Sequence, residues 1–531
     1  MKLDRLQDHL LPAIVLIAGI GFAMYCGTLT GHGQFGMLAT IGGGIIALAS
    51  LMILREQIWL LIPIFWTLTG QIPLLPLPFS IRDLVVMGVF TAFLALKALK
   101  MARRKPKLET VDYWLLALLI YLATVFVRNP VGVDALGSDR VGGRPYFNTV
   151  VACLSYWVLA RVSIKGGLAK LLPFVLLASK SVEFVLNAIA FHFPQTVPVL
   201  ASVYTGITPD AYDAGDLQRN PTGDTTTGRM TYLANLGTGG TLTSCAYSRP
   251  LELLNPIHFF RWLVFTLSVV CILASGYRSA LLSVGIYVVL SSYFRRGTAD
   301  LAKLFGIGVP LLLVLVAMQG TIVNLPLSTQ RALSFLPGRW DYVAVAEAKD
   351  STQWRVEMWK AMLVGNKYIQ NKWLGDGFGL TSRQLESIRA VSGRLDKETQ
   401  QEHFLIVGQV HSGPLTSIRY TGYIGLLLFL TVIGLIAWLG IRLVRRSERT
   451  DFFYLSLYLC IPVIWEPLNY IFVFGSFDNA LPEAIFALGM LKMLDNSLTD
   501  YEQTKAPAIA AETGQPHLAS RRGVSLSPSL R

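Results

Sequence analysis

Four polar side chains stand out in an otherwise apolar chain. They are Arg278 in Ser275-Gly276-Tyr277-Arg278-Ser279, Arg355 in Trp354-Arg355-Val356-Glu357, and two histidines, His403 and His411, eight residues apart. A guanidinium is planar, permanently charged and offers paired donors, so it suits phosphate oxygens. An imidazole accepts a proton near neutral pH, which arginine and lysine do not. Two arginines and one histidine at one place can therefore grip a phosphorylated substrate and move one proton. His411 stands where a polar segment meets an apolar run, just before Ser412-Gly413-Pro414, and so ranks above His403 in Gln401-Glu402-His403-Phe404. Arg419 and Glu466 are, with His403, secondary candidates, and Arg144 joins Arg419 only as background charge. The two arginines add positive potential on the same side. Glu466, in Trp465-Glu466-Pro467 within an apolar run, is a membrane carboxylate and a functional residue by default. Each has a plainer alternative: an interfacial anchor for Arg278, a solvated residue for Arg355, a structural imidazole for either histidine, and a hydrogen bond at the proline break for Glu466.

These residues need a scaffold, and composition says what kind. Of 531 residues, 53% are hydrophobic and 15% charged, with mean hydropathy +0.50. A soluble domain carries roughly 25% charged residues. Apolar runs of about 17–25 residues, enough to cross a bilayer, recur throughout. The expected fold is all-α, a polytopic membrane helical bundle of about 12–14 spans. It forms one transmembrane domain, residues 1–494, followed by a disordered cytoplasmic tail, 495–531. The spans fall near 11–28, 34–54, 57–70, 81–99, 112–127, 148–162, 168–191, 230–247, 258–275, 279–294, 301–323, 415–441, 452–474 and 481–494.

The formal net charge of +13 does not indicate nucleic acid as a partner. The basic residues cluster in short loops: Lys97 to Lys107, then Arg295, Arg296 and Lys303, then Arg442, Arg445, Arg446 and Arg449. That is the positive-inside pattern of a chain whose partner is a lipid bilayer. The glycine- and threonine-rich run 230–247 is the weakest span. Counting it puts every cluster, and both termini, on the cytoplasmic side. Lys180 and Glu183, three apart on one helix, are expected to pair. The five cysteines lack metal-ligand spacing and read as reduced core residues. No metal or other cofactor is expected.

The candidates converge on residues 325–414, a large polar segment outside the membrane on this topology. Long loops in compact architectures are usually functional or disordered, and this one carries helix signals. Asp350 and Gln353 form a capping-box variant, which puts Arg355 in the first turn of the helix they start. Trp354, Met358, Trp359, Met362, Leu363 and Ile369 follow at helical spacing, with Lys360, Lys367 and Lys372 largely elsewhere on the wheel. Such a helix lies on the membrane surface or packs over the spans. Gly375, Gly377 and Gly379 form a turn, since no strand precedes them and no Lys-Ser/Thr follows.

The ordered set of these pieces resembles a known family. It runs from Ser-x-x-Arg-Ser between two spans, through Arg355-x-x-x-Trp359 and the glycine turn, to His411 and re-entry through Arg419-Tyr420-Thr421-Gly422-Tyr423-Ile424-Gly425. This is similar to the O-antigen ligase and Wzy-type polymerase superfamily, over about residues 230–441. The resemblance implies a metal-independent glycosyltransferase of the bacterial inner membrane with its active site on the periplasmic side. The donor would be an undecaprenyl-pyrophosphate-linked glycan, the acceptor a hydroxyl of a lipid or polysaccharide. Arg278 and Arg355 would bind the pyrophosphate and His411 would be the general base. In the family an Asn often follows the histidine, where this chain has Ser412. A different class, a polytopic transporter or lipid-linked oligosaccharide flippase, also explains many spans and gives Glu466 a coupling role. It does not explain the long external segment.

Overall fold

The computed structural model describes residues 23–33, 55–73, 79–98, 106–131, 142–207, 230–380, 397–408 and 410–513, and four isolated positions before residue 43. Most of the first two expected spans, and residues 514–531, lie outside these. Among the described residues the regular elements are helices, with no strand. The main ones are α1 (Ile81–Ala98), α2 (Thr110–Arg128), α3 (Arg144–Leu159), α4 (Gly166–His192), α5 (Thr231–Tyr247), α6 (Phe259–Ala274) and α7 (Arg278–Arg296). They continue with α8 (Thr298–Met318), α9 (Leu327–Leu333), α10 (Tyr342–Leu363), α11 (Lys397–Val407), α12 (Gly413–Ser447), α13 (Phe453–Leu468) and α14 (Phe477–Thr513).

Six helices are long and apolar enough to cross a bilayer: α2, α4, α6 with its lead-in from Pro256, α8, α12, and α13 with its extension to Val473. The protein is a multi-pass membrane protein. Helices α1, α3, α5, α7 and α14 occupy further expected spans. Of these, α3 and α5 have only 16 and 17 residues. The expected span 57–70 is instead a six-residue 3-10 turn and a five-residue helix. Eleven residues at about 1.5–2.0 Å each fall short of a bilayer core of about 30 Å. Pro63 removes a helical donor there, and Trp59 and Ile62 are buried inside the bundle.

Local chemistry starts these helices. Ser80 and Asp83 cap α1 reciprocally: the Ser80 N–H donates to Asp83 Oδ2 at 2.9 Å, and Asp83 N–H to Ser80 Oγ at 3.2 Å. Glu109 and Asp112 form the same box before α2. The main core joins α2, α3, α12, α13 and α14 through buried residues such as Leu118, Val151, Phe429, Ile461 and Leu488. By contrast only 6% of the apolar window of α8 is buried, leaving its sides to lipid.

Helix α14 runs past residue 495, where the sequence suggests a tail, as far as Thr513. The polar residues at that boundary are buried and used. Asn496 Nδ2 donates to the carbonyls of Ala160 and Val162 at 2.9 and 3.1 Å, and Ser497 Oγ accepts from Ile164 N–H at 2.9 Å. They complete the end of α3, which is why they do not begin a solvated tail. Nearby, Lys492 Nζ donates to Asp112 Oδ2 at 2.7 Å and lies 3.3 Å from Glu109 Oε2.

The described residues of 325–414 form a cap over one end of the bundle. Helix α10 begins at Tyr342, with Asp341 Oδ1 accepting from Val343 N–H at 2.8 Å. Asp350 and Gln353 are therefore interior, and Gln353 bonds Glu357 rather than a helix start. Arg355 lies in the fourth turn and escapes the dipole penalty of a first turn. Met358, Met362, Ile369, Leu405, Val410, Leu415 and Ile418 make a second apolar cluster. Helix α10 thus packs over the spans, the second of the two placements its pattern allows. Lys372 Nζ donates to Leu363 O at 2.8 Å and closes its last turn. A hydrogen bond from Lys367 Nζ to Glu402 at 2.8 Å ties the loop after α10 to α11, and that carboxylate holds the Lys367 ammonium above its ordinary range. Asp341→Ala should cost about 1 kcal/mol. It should speed hydrogen exchange in the first turn of α10 while leaving α12 unchanged.

The cap is keyed into the bundle at Gly422, where α12 is broken (φ 69°, ψ −177°). The break frees backbone groups that membrane burial would leave unsatisfied, and the glycine turn supplies partners. Asp376 N–H donates to Arg419 O at 2.8 Å and Gly377 N–H to Tyr420 O at 3.0 Å. Tyr423 N–H donates to Lys372 O at 2.9 Å. The single Tyr121 O–H is shared between the two segments, bifurcated to Thr421 O at 2.9 Å and Leu374 O at 3.1 Å. The Gly375–Gly379 segment is thus a turn docked on a helix break.

Candidate functional site

Each candidate is held by a specific local structure. Arg278 starts α7 directly after the tight turn at Gly276 (φ 71°). That turn is fastened by Tyr277 Oη to Thr231 Oγ1 at 2.9 Å. The Arg278 guanidinium reaches α10, donating to Ala348 O at 3.1 Å and Thr352 Oγ1 at 3.4 Å. Residues 348, 352, 355 and 359 follow one another at the i, i+4, i+7, i+11 spacing of a single helix face. Half-buried Arg355 is therefore one turn beyond the point that Arg278 touches.

The same face leads to the histidine. Trp359 Nε1 donates to Val410 O at 2.8 Å, immediately before His411. The His411 ring stacks on Phe474 at 5.4 Å and lies 6.2 Å from both Trp354 and Phe404. Its backbone is left-handed, φ 52°, a conformation uncommon outside glycine and often kept at functional sites. The next residues explain the Ser-Gly-Pro sequence. A Cβ on Gly413 would fall 2.5 Å from Tyr470 O, and Tyr470 Oη donates to Gly413 O at 2.7 Å. Between the turns of α10 bearing Thr352 and Trp359 lie about 10 Å of helix axis. Arg278, Arg355 and the anchor of His411 are gathered along that length.

His403 is exposed on α11, with its ring against Phe404, and does not join this group. Arg419 is 3% exposed, and both its terminal nitrogens are engaged while its Nε is buried without a partner. It donates to Tyr368 O at 3.3 Å, to Leu405 O at 2.9 Å and to Ile406 O. The last two carbonyls end α11, where a guanidinium both caps the helix and complements its dipole. Arg144 is buried in an ion pair with Asp83. Their sequence setting suggests positive potential at the cap face, but Arg144 is paired with a carboxylate and Arg419 gives its terminal donors to backbone carbonyls. Arg419→Ala should lower the melting temperature sharply, because each buried carbonyl left unsatisfied costs about 1–3 kcal/mol.

A cavity of ≈ 420 Å³ runs inward from His411 between α12, α13 and α14. Phe474 and Asn469 line it near the imidazole, and Glu466, Asn479 and Glu483 line it further along. Asn469 Nδ2 donates to Glu466 at 3.2 Å, from a π-helical stretch, Asn469–Val473, of a kind frequent at functional sites. Glu483 accepts from Trp66 Nε1 at 2.8 Å. Lys180 interacts with Glu483 as well as with Glu183, and Glu183 also takes a hydrogen bond from Asn235. The simple Lys180–Glu183 pair is therefore part of a larger charge group.

No family model matches the chain, and no curated protein matches it significantly. The site thus rests on its own geometry. Glu483 is a lining carboxylate that is not among the sequence candidates. It sits in Leu481-Pro482-Glu483 inside an apolar run, the same signal that singled out Glu466.

Proposed function

We propose that the protein is a metal-independent glycosyltransferase of the O-antigen ligase or polysaccharide polymerase type. It moves a glycan from an undecaprenyl-pyrophosphate carrier to an acceptor hydroxyl at the periplasmic face of a bacterial inner membrane. The observation that carries this reading is the single face of α10, which has the Arg278 contact, Arg355 and the His411 anchor in succession. The acceptor oxygen attacks the anomeric carbon as the bond to the diphosphate oxygen breaks. The hydroxyl proton passes to His411. Negative charge gathers on the departing lipid diphosphate, where Arg278 and Arg355 stabilise it. A diphosphate is a good leaving group, so no general acid is needed on that side.

The cavity gives the reacting sugars room beside the imidazole, and its amides and carboxylates suit hydroxyl groups. It also favours a second reading. A carboxylate-lined cavity within the spans suits a transporter or a flippase for lipid-linked oligosaccharide, with Glu466 as the coupling group. Arg355→Ala separates the two. The transferase should lose most of its turnover, while a transporter should keep its flux. The direct test is deletion of the gene followed by gel analysis of surface polysaccharide. Polymer stranded on the carrier identifies a ligase and single repeat units a polymerase. An unchanged glycan profile contradicts both.

A further inference from the structure

At the end of the bundle opposite the cap is a second cavity, ≈ 500 Å³, between the ends of α7, α8, α12 and α13. Arg295, Arg296, Arg445 and Arg449 line it, with Glu448 as the one acid, and Tyr293 and Phe453 at its walls. We propose that it binds the headgroup of an anionic phospholipid from the leaflet on that side, which the positive-inside rule makes the cytoplasmic one.

Three observations carry this. First, the neighbouring basic residues divide into two sets. Arg442 pairs with Glu109 at 2.7 Å, and Arg446 with Asp495 at 2.5 Å and Glu502 at 2.7 Å, on the side of α12 away from the cavity. Arg296, Arg445 and Arg449 have no hydrogen bond or ion pair among the described residues, and they face the cavity together. Second, Arg295 is fixed rather than free to swing away. It donates to the carbonyls of Cys245 and Ala246 at the end of α5, and it lies 5.6 Å over the Phe453 ring. Its Nε is buried without a partner. Third, the surroundings suit a lipid better than a soluble anion. Gly297 lines the cavity, and α8 begins at the next residue. One face of α8 exposes Phe305, Val309 and Leu312, a track for an acyl chain leading away from the charged pocket. Aromatic residues at such a boundary sit at headgroup level. The volume lies in the usual range for ligand sites, about 300–1,000 Å³.

The test uses the full-length protein in neutral phosphatidylcholine nanodiscs. Phosphatidylglycerol or inorganic pyrophosphate is titrated in, and bound lipid is read by native mass spectrometry together with the melting temperature. Phosphatidylglycerol should bind and raise the melting temperature. Arg296→Gln/Arg445→Gln should weaken it by about 30-fold, the attraction of two surface arginines. These residues are exposed, so folding should be unaffected, and an unchanged melting temperature without lipid checks this. Arg261→Gln/Lys303→Gln removes the same charge elsewhere and should leave binding intact. Equal loss in that control would mean diffuse membrane attraction and overturn the site. So would unchanged binding in the arginine double variant. Pyrophosphate binding as tight as the lipid would make the ligand a soluble phosphate and overturn the lipid assignment.

Discussion

His411→Ala should insert and fold normally and yet lose transfer by about 10²–10⁴-fold, the usual contribution of a positioned general base. The imidazole is placed by its neighbours. Trp359 holds the preceding carbonyl, Phe474 stacks on the ring, and Tyr470 fixes the start of α12 two residues later. Alanine removes the proton acceptor and leaves those anchors in place. The matched control is His403→Ala on exposed α11, which should transfer glycan at the wild-type rate. Membrane yield and melting temperature exclude a folding defect, and transfer is followed with a lipid-diphosphate donor in detergent. Wild-type turnover from a well-folded His411→Ala protein would remove His411 as the base. Arg278→Ala and Arg355→Ala should reduce turnover too, and lysine should rescue neither fully because it lacks the paired donors.

The largest stability effect is expected at Gly422. Its backbone lies in a region open essentially to glycine alone, and a Cβ there would fall 2.2 Å from Trp373 O. Alanine adds a conformational cost of about 1–3 kcal/mol and an overpacking cost of about 1–3 kcal/mol. The collision also pushes away the segment that completes the break. Gly422→Ala should therefore yield little folded protein, with a large fall in melting temperature by fluorescence-detected size exclusion. Gly434→Ala, in the same helix, meets nothing within 4 Å and should be neutral or slightly stabilising. Equal melting temperatures for the two variants would refute the account of the break.

Most helices were legible in the sequence because apolar length is a strong signal. Even the weak run 230–247 forms α5, with its glycines packed where side chains will not fit: a Cβ on Gly237 would lie 2.6 Å from Ser268 O. The start of α10 was less legible. The alanine-rich stretch from Tyr342 favours helix, but Asp350 and Gln353 mimic a cap well after the true one at Asp341. Long-range pairing was not legible at all. Nothing local in Arg419 tells that its guanidinium ends α11, and nothing in Gly375 tells that it docks on Gly422. The cavity was hidden for the same reason, since its wall comes from three helices whose facing surfaces are set by packing. His411, Arg278 and Arg355 were visible as rare polar types at span boundaries, and their common link through α10 emerges only in three dimensions.

The Arg278 guanidinium already holds two oxygens of α10. Both bonds come from Nη2, so an anion that takes this nitrogen displaces those acceptors, and part of its binding energy goes into the exchange. The same acceptors take the arginine back when the anion departs. Such a grip favours short residence over tight retention, as the proposed transfer would require of a site that releases a lipid diphosphate after every cycle.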